Sequence, residues 1–230
     1  MPHSDNRLLE RLPHRNRDRL LSMCEPAPLT LADVLCDAGE VMRHVYFPLE
    51  GSISLTVSVD GHPGIDVGTV GCEGVLGASL TLGVRTAPLR ALVRVSGHAM
   101  RIRCGDLQGE LTHNTALRES LQRHVYLSLV QVSSAAACLR HHLVGARLAR
   151  ALLMIQDRVR ADRFRVTQEL LARMLGVRRV GVTEAAGALQ RAALVAYRRG
   201  DIEILDRRGL EAVACSCYAA DKRAYARWFD

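Results

Sequence analysis

Two adjacent arginines, Arg178 and Arg179, stand directly after a glycine-containing turn and open a run of helical periodicity. Guanidinium groups at a helix start make a positive, donor-rich end, which is how a helix-turn-helix meets the DNA major groove. The stretch Thr167 to Val195, TQELLARMLGVRRVGVTEAAGALQRAALV, supplies the rest of such a unit. Thr167 has a hydroxyl suited to N-capping, and Glu169 puts a negative charge in the first turn. Leu170, Leu171, Met174 and Leu175 form one apolar face. Gly176 tolerates a left-handed backbone and ends this first helix. Val182, Ala185, Ala186, Leu189 and Ala193 resume the period, so a second helix packs back on the first, with small residues allowing close approach. An ordinary helical hairpin would expose mixed charges. Here the exposed positions at the second helix start are Arg178, Arg179, Gly181, Thr183 and Glu184, and Thr167 and Gln168 extend this candidate DNA-contacting set upstream.

The next segment extends it further. Val195-Ala196-Tyr197-Arg198-Arg199, then Gly200-Asp201, then Ile202-Glu203-Ile204-Leu205 read as a β-hairpin around a glycine turn. A helix-turn-helix followed by such a hairpin is a winged helix. Arg198 and Arg199 near the tip are placed to reach phosphates, which fixes register without reading sequence. A solvated hairpin with exposed arginines explains Arg199 equally well.

Charge tests the reading independently. Residues 145–230 hold 17 Lys and Arg against 10 Asp and Glu, while residues 1–144 hold 14 of each, so the chain's +7 comes wholly from the part with the motif. Such an excess implies a polyanionic partner. No basic amphipathic helix with bulky apolar anchors stands out, which weighs against a membrane surface.

With these residues in view, the C-terminal third resembles the winged-helix DNA-binding domain of the Crp/Fnr transcriptional regulators. The resemblance is strongest from Phe164 to Tyr218, including the tail GLEAVACSCY. It is traceable upstream through His44-Val45-Tyr46-Phe47-Pro48, Gly51 and Ser54. It implies a jelly-roll sensor domain, a homodimer paired through a long helix, double-stranded DNA and RNA polymerase as partners, and a roughly palindromic operator. Arg179 matches the arginine at the second position of the family's recognition helix, which implies donation to guanine O6 and N7. Arg178 is left for a phosphate or a neighbouring base, and Thr183 for a thymine methyl or a phosphate. The best-known family pattern has a glutamate after that arginine and another arginine five positions beyond it. This chain has Val180 and Glu184 there, so a different half-site is expected, with Glu184 accepting from a cytosine amine or orienting Arg179.

The upstream architecture is legible without the family. Residues 24–108 hold 11 of the 18 glycines. Between them lie short runs such as Ile53–Val57, Ile65–Val67 and Leu92–Val95, which argue an antiparallel sandwich or barrel. Residues 6–22 read as a short charged helix with Leu8, Leu9, Leu12, Leu20 and Leu21 as its apolar contacts. A long helical segment follows from about Thr115 to Leu143. Its Leu121, Val125, Leu129, Val132, Ala136, Leu139 and Leu143 are spaced close to a heptad seam. Burial against the β core explains the same residues, and the resemblance implies dimerisation. Gly145 is expected to break the chain direction, and the next helix carries Leu148, Leu152, Ile155 and Val159 on one face. The expected fold is therefore α+β: an N-terminal antiparallel β-roll or jelly roll over residues 1–114, a dimerisation helix over 115–144, and a winged helix-turn-helix over 145–230.

What the β domain senses is less legible. Cyclic-nucleotide-binding members of the family use a Gly-Glu-Leu-Gly turn and an Arg-Ser-Ala segment. The matching turn here is Gly74-Val75-Leu76-Gly77, without the ribose-holding carboxylate, and Leu89-Arg90-Ala91 displaces the phosphate arginine by one. Burying a phosphate without that partner is costly, so cyclic AMP in the usual mode is not expected. Glu73, Gly74, Val75, Gly77 and Arg90 are the candidate effector-pocket residues. A different nucleotide, another small acid or no ligand all stay open.

Seven cysteines, Cys24, Cys36, Cys72, Cys104, Cys138, Cys215 and Cys217, are odd in number and scattered, which argues against a disulfide framework. The N-terminal cysteine cluster of the family's iron–sulfur members is absent. Cys215-Ser216-Cys217 alone is a poor chelate. Buried inert thiols are the favoured state, with a redox-active thiolate as the alternative, and no metal site is assigned. His141-His142, near Cys138, raises haem ligation as an option, but adjacent histidines on a helix point to different faces. No cofactor is assigned.

No Gly-x-Ser-x-Gly elbow, P-loop, His-Glu-x-x-His or dinucleotide fingerprint appears, so no enzyme is expected. The first 20 residues show no signal-peptide core, and no apolar run reaches about 18 residues. A cytoplasmic protein is expected. The competing reading is a ligand- or redox-binding module, through haem or a thiol, whose winged helix serves protein interaction.

Overall fold

A computed structural model of the chain describes residues 6–59, 62–159, 161–198 and 200–229. They fall into two compact units. One lies within Met1–Thr56, Gly68–Val130 and Ala226–Asp230, the other within Val57–Val67 and Gln131–Tyr225.

The described residues open with α1 (Arg7–Glu10) and α2 (His14–Ser22) rather than the one helix expected. Pro13 has no N–H for an interior helical bond, so the chain breaks there and restarts. Leu8, Leu9, Leu12 and Leu20 are buried as expected, while Leu21 is only half-buried. Asn6 caps α1, accepting from the N–H groups of Leu8 and Leu9, while its own amide donates to the carbonyls of Pro48 (2.8 Å) and Gly74 (2.9 Å).

Among the described residues the strands that follow are β1 (Glu25–Leu29), β2 (Val34–Cys36), β3 (His44–Pro48), β4 (Ser52–Val59), β5 (His62–Val70), β6 (Arg90–Val95) and β7 (Gly97–Arg103), with a short 3-10 turn at Ala78–Leu82. They form an antiparallel three-stranded sheet in the order β1-β7-β3 and a four-stranded sheet in the order β2-β6-β4-β5. Tyr46, Ile53, Val70, Val93 and Ala99 from both sheets share one core with Leu76 of the turn after β5, as alternation along short strands requires. The expected antiparallel β-roll is therefore present.

Helices α3 (Cys104–His113), α4 (Thr115–His141) and α5 (Val144–Val159) come next. The bend between α4 and α5 lies at His142–Leu143. Gly145, the expected breaker, sits inside the first turn of α5. There a glycine is tolerated because the bend has already been made by the two residues before it. Leu148, Leu152 and Ile155 are buried along one face of α5.

The C-terminal part comprises β8 (Arg163–Arg165), α6 (Gln168–Leu175), α7 (Arg179–Arg191), β9 (Val195–Arg198), β10 (Asp201–Ile204), α8 (Arg207–Val213) and α9 (Cys217–Phe229). The expected hairpin is β9–β10, pairing Asp201 with Arg198 and Ile204 with Val195. A third strand, β8, completes the sheet in the order β8-β10-β9. No helix among the described residues is long and apolar enough to cross a membrane.

Candidate nucleic-acid interface

Helix α6 starts where Thr167 accepts a hydrogen bond from the Leu170 N–H at 3.1 Å. It ends at Gly176, whose φ of +58° is the left-handed conformation a Cβ disfavours. The N–H of Gly176 closes on the Arg173 carbonyl at 3.2 Å. This turn sets where the next helix begins. Arg178 is its N-cap and Arg179 its first residue. Val182, Ala186 and Leu189 are buried on the inner face of α7, as Leu171 and Leu175 are on α6, and α7 packs on both α6 and α5. Ala193, expected on the same face, instead lies beyond the helix with a φ of +54°, in the turn that leads to β9.

The outer face of α7 begins with Arg178, Arg179, Val180, Thr183 and Glu184, all exposed. Gly181 is half-buried, and a Cβ there would meet nothing within 4 Å, so no packing within the chain requires glycine at this position. Gln168 ties the two helices. Its Oε1 accepts from Arg179 Nε at 3.4 Å and from the Thr183 hydroxyl at 3.0 Å. The same Thr183 hydroxyl lies 3.1 Å from the Arg179 carbonyl, so its one proton is shared between the two acceptors. Three of the residues singled out from the sequence thus form one polar cluster at the entrance of α7. Thr167 is spent as a cap. Arg198 is exposed at the end of β9, and Gln190 of α7 donates to the Tyr197 carbonyl at 3.3 Å, fastening helix to hairpin. Arg199 lies outside the described residues.

The domain is held behind this face by Arg207. Its guanidinium donates to Gln156 (2.7 Å), Asp157 (2.7 Å), Glu211 (3.1 Å) and the Tyr218 hydroxyl (2.7 Å), while Tyr218 donates to the second Asp157 oxygen at 2.9 Å. Burial and the facing Asp157 carboxylate push the Tyr218 phenol well above its ordinary range. Sequence inspection did not single out Arg207 or Asp157, because nothing local marks partners 50 residues apart.

The seam of α4 divides. Leu121 is wholly buried and Val125 half-buried. Leu129 (64 % exposed), Val132, Ala136, Leu139 and Leu143 (85 % exposed) lie open. Leu129, Val132, Ala136 and Leu139 keep spacings of three and four and form an exposed apolar stripe on α4, whereas Leu143, expected on the same seam, lies beyond the helix in the bend to α5.

The candidate effector turn is built around a histidine that sequence inspection passed over. His124 of α4 is buried, and the Val75 N–H donates to its Nε2 at 3.4 Å. A Cβ on Gly74 would press on the imidazole Cε1 at 2.5 Å, so glycine there is a requirement of packing. Burial pushes His124 down to about 4, against the upward pull of Glu73. Glu73 and Val75 are themselves buried, and Gly77 is left-handed at φ +102°. Arg90 is exposed at the start of β6 and pairs with Asp37 at 3.1 Å.

The cysteines behave mostly as apolar residues. All seven are buried or partly buried free thiols, and burial pushes Cys24 and Cys215 up to about 12. Four side chains that the sequence reading left apart nevertheless converge. Cys138 and Cys215 bring their sulfurs to 3.5 Å, and Cys217 Sγ lies 3.6 Å from His142 Nδ1. All four donor atoms fall within 4.8 Å of one another. The signal available in the sequence was the i, i+4 spacing of Cys138 and His142, which puts both on one helix face. His141 is exposed and stands apart.

Residues 146–213 match the family model described as the Crp-like helix-turn-helix domain. No curated protein matches the chain. Among solved structures, FixK2 from Bradyrhizobium japonicum is similar at a TM-score of 0.72 and 12 % identity, over 84 % of this chain and 98 % of that one. The c-di-GMP responsive global regulator CLP of Xanthomonas campestris is similar at 0.67 and 18 %, over 84 % and 99 %. A putative cAMP-binding regulatory protein from Silicibacter pomeroyi is similar at 0.65 and 20 %, over 93 % and 100 %. At these identities the likeness is one of fold.

Proposed function

We propose, from the premise that this chain carries a Crp-like helix-turn-helix domain within the Crp/Fnr regulator fold, that it is a sequence-specific transcription regulator. It binds DNA as a homodimer on a roughly palindromic operator and has no catalytic role. The observation that carries the reading is the exposed Arg178–Arg179 pair at the start of α7, with Arg179 held by the Gln168–Thr183 cluster.

Helix α7 enters the major groove N-terminus first. Arg179 donates to guanine O6 and N7, a bidentate match of a planar fork to two acceptors. Arg178 takes a phosphate or a flanking base. Gly181 lets the groove wall approach closely, Thr183 meets a thymine methyl or phosphate, and Glu184 accepts from cytosine N4 or orients Arg179. Thr167 and Gln168 sit where α6 meets the DNA backbone, and Arg198, with Arg199 beside it in sequence, contacts phosphate from the wing. The +7 charge held within residues 145–230 supports the sequence-independent part of the affinity.

A single recognition helix spans too few base pairs for specificity. Two copies joined along the exposed stripe of Leu129, Val132, Ala136 and Leu139 place two recognition helices on half-sites about 34 Å apart. Effector control belongs to the β-roll, at the turn holding Glu73, Gly74, Val75 and Gly77. Arg90 is already engaged with Asp37, and the turn offers no ribose carboxylate, so the usual mode for cyclic AMP is not the one used. RNA polymerase is the partner a regulator of this kind meets, in the cytoplasm.

The test is selection from a pool of random duplexes, followed by titration of the enriched sequence at several salt concentrations. Enrichment of an inverted repeat with half-sites one helical turn apart is expected. Absence of association with any duplex at low ionic strength would overturn the assignment and favour a winged helix that binds protein.

A further inference from the structure

We propose that Cys138, His142, Cys215 and Cys217 bind one zinc ion in a closed tetrahedral site that fastens the end of α4 to the start of α9. The four donors come from two segments of one compact unit. Cys138 lies in the last turn of α4, and His142 follows the helix, its N–H donating to the Cys138 carbonyl at 3.1 Å. That bond continues the helical path by one residue and brings both side chains to the same face. Cys217 is the first residue of α9, and Cys215 lies two residues before it. The Cys215 N–H is held on the Ala146 carbonyl at 3.3 Å, and its carbonyl accepts from the Tyr218 N–H at 3.0 Å. The backbone therefore fixes both donor pairs before any ion arrives.

The distances suit one small ion. Zinc bonds of about 2.3 Å to sulfur and about 2.0–2.1 Å to nitrogen give tetrahedral edges of about 3.8 Å between sulfurs and about 3.6 Å between sulfur and nitrogen. The observed Cys138–Cys215 separation is 3.5 Å and that of Cys217 from His142 Nδ1 is 3.6 Å. Donors converging on one point leave no equatorial plane for a porphyrin. They also stand too close for an iron–sulfur cluster, whose ligands must reach different irons. The donor set is three sulfurs and one imidazole, without a carboxylate, which selects a thiophilic ion over calcium or magnesium. With every corner filled by protein, the site is structural and leaves no position for substrate.

The surroundings match the charge such a centre would carry. Three thiolates around a divalent ion leave one negative charge. The positive charges of Arg150 and Arg147 both act on Cys138, and that of Arg147 also on Cys215. Arg150 is in turn held by Asp221 of α9 at 2.6 Å, and Arg147 donates to the Leu175 carbonyl at the end of α6. The metal would thus be tied through its surroundings to the helix that precedes the recognition turn. As thiols become ligands they release their protons, up to three per ion bound, so loading is favoured as pH rises.

The test uses the full chain, purified without a polyhistidine tag and kept reduced, with Zn2+ and Co2+ as probes. After zinc exposure and desalting, elemental analysis should find one zinc ion per chain. The cobalt form should show thiolate-to-cobalt charge transfer and the visible bands of a tetrahedral centre. Cys138→Ser with Cys215→Ser should abolish both. Because that pair is buried, His142→Gln, at a half-exposed position, serves as the second variant and should lose zinc to a weak chelator that leaves the parent loaded. Cys24→Ser, which belongs to the other compact unit and is not among the four donors, should keep one zinc. The proposal fails if the reduced parent retains no more zinc than the double variant, if cobalt binds without charge transfer, or if strictly anaerobic protein carries a Cys138–Cys215 disulfide instead.

Discussion

Arg179 donates from Nε to Gln168 Oε1 at 3.4 Å, across the turn that joins α6 to α7. The bond uses one donor of a five-donor fork and orients the rest, and orientation lowers the entropy lost when a base edge is bound. Arg179→Ala should therefore cost about 1–3 kcal/mol at the selected operator while leaving affinity for random DNA nearly unchanged. Gln168→Ala should cost less, by loosening Arg179 and Thr183 together. Equal losses on specific and random duplexes would place Arg179 on the phosphates instead. Arg198→Ala should do the reverse, weakening all sequences alike and lowering the salt slope by about one.

The exposed stripe on α4 gives a second outcome. Leu129→Glu with Val132→Glu places like charges across a two-fold axis in a desolvated seam. Sedimentation should shift to the monomer, and operator affinity should fall by about 100-fold or more as the second half-site is lost. An unchanged sedimentation coefficient would remove this stripe from the dimer interface.

His124 makes stability depend on pH. In the unfolded chain its imidazole takes up a proton near 6.5, in the fold only near 4. Between those values the unfolded state holds more protons. Stability is therefore full above pH 6.5 and declines as pH falls toward 4, by up to about 3 kcal/mol. Urea midpoints measured at pH 7.5, 6 and 5 should drop accordingly, and His124→Leu should flatten the drop. Parallel slopes for parent and variant would exclude His124 as the group responsible.

Gly176 tests the turn itself. At φ +58° a β-branched side chain is strongly disfavoured, so Gly176→Val should cost about 1–3 kcal/mol in thermal or urea unfolding. Gly176→Asn should be much milder, since asparagine visits that region with less penalty. Equal effects of the two would mean that something other than backbone conformation limits the site.

Period and capping were enough to read the Thr167–Val195 unit, because a helix, its cap and its glycine stop are decided by neighbours three or four residues apart. The same holds for the β9–β10 hairpin and for the excess positive charge beside it. Pro13 could have been read as the break between α1 and α2, since its missing N–H is a local property. Tertiary structure alone decided which part of the α4 seam is exposed, because Leu121 and Leu129 obey the same spacing and differ only in what packs against them. It also decided that His124 fills the space a Gly74 side chain would need. Cys138 and Cys215, 77 residues apart, meet for the same reason. Such contacts depend on how whole elements pack, and a pattern of near neighbours along the chain carries no record of that.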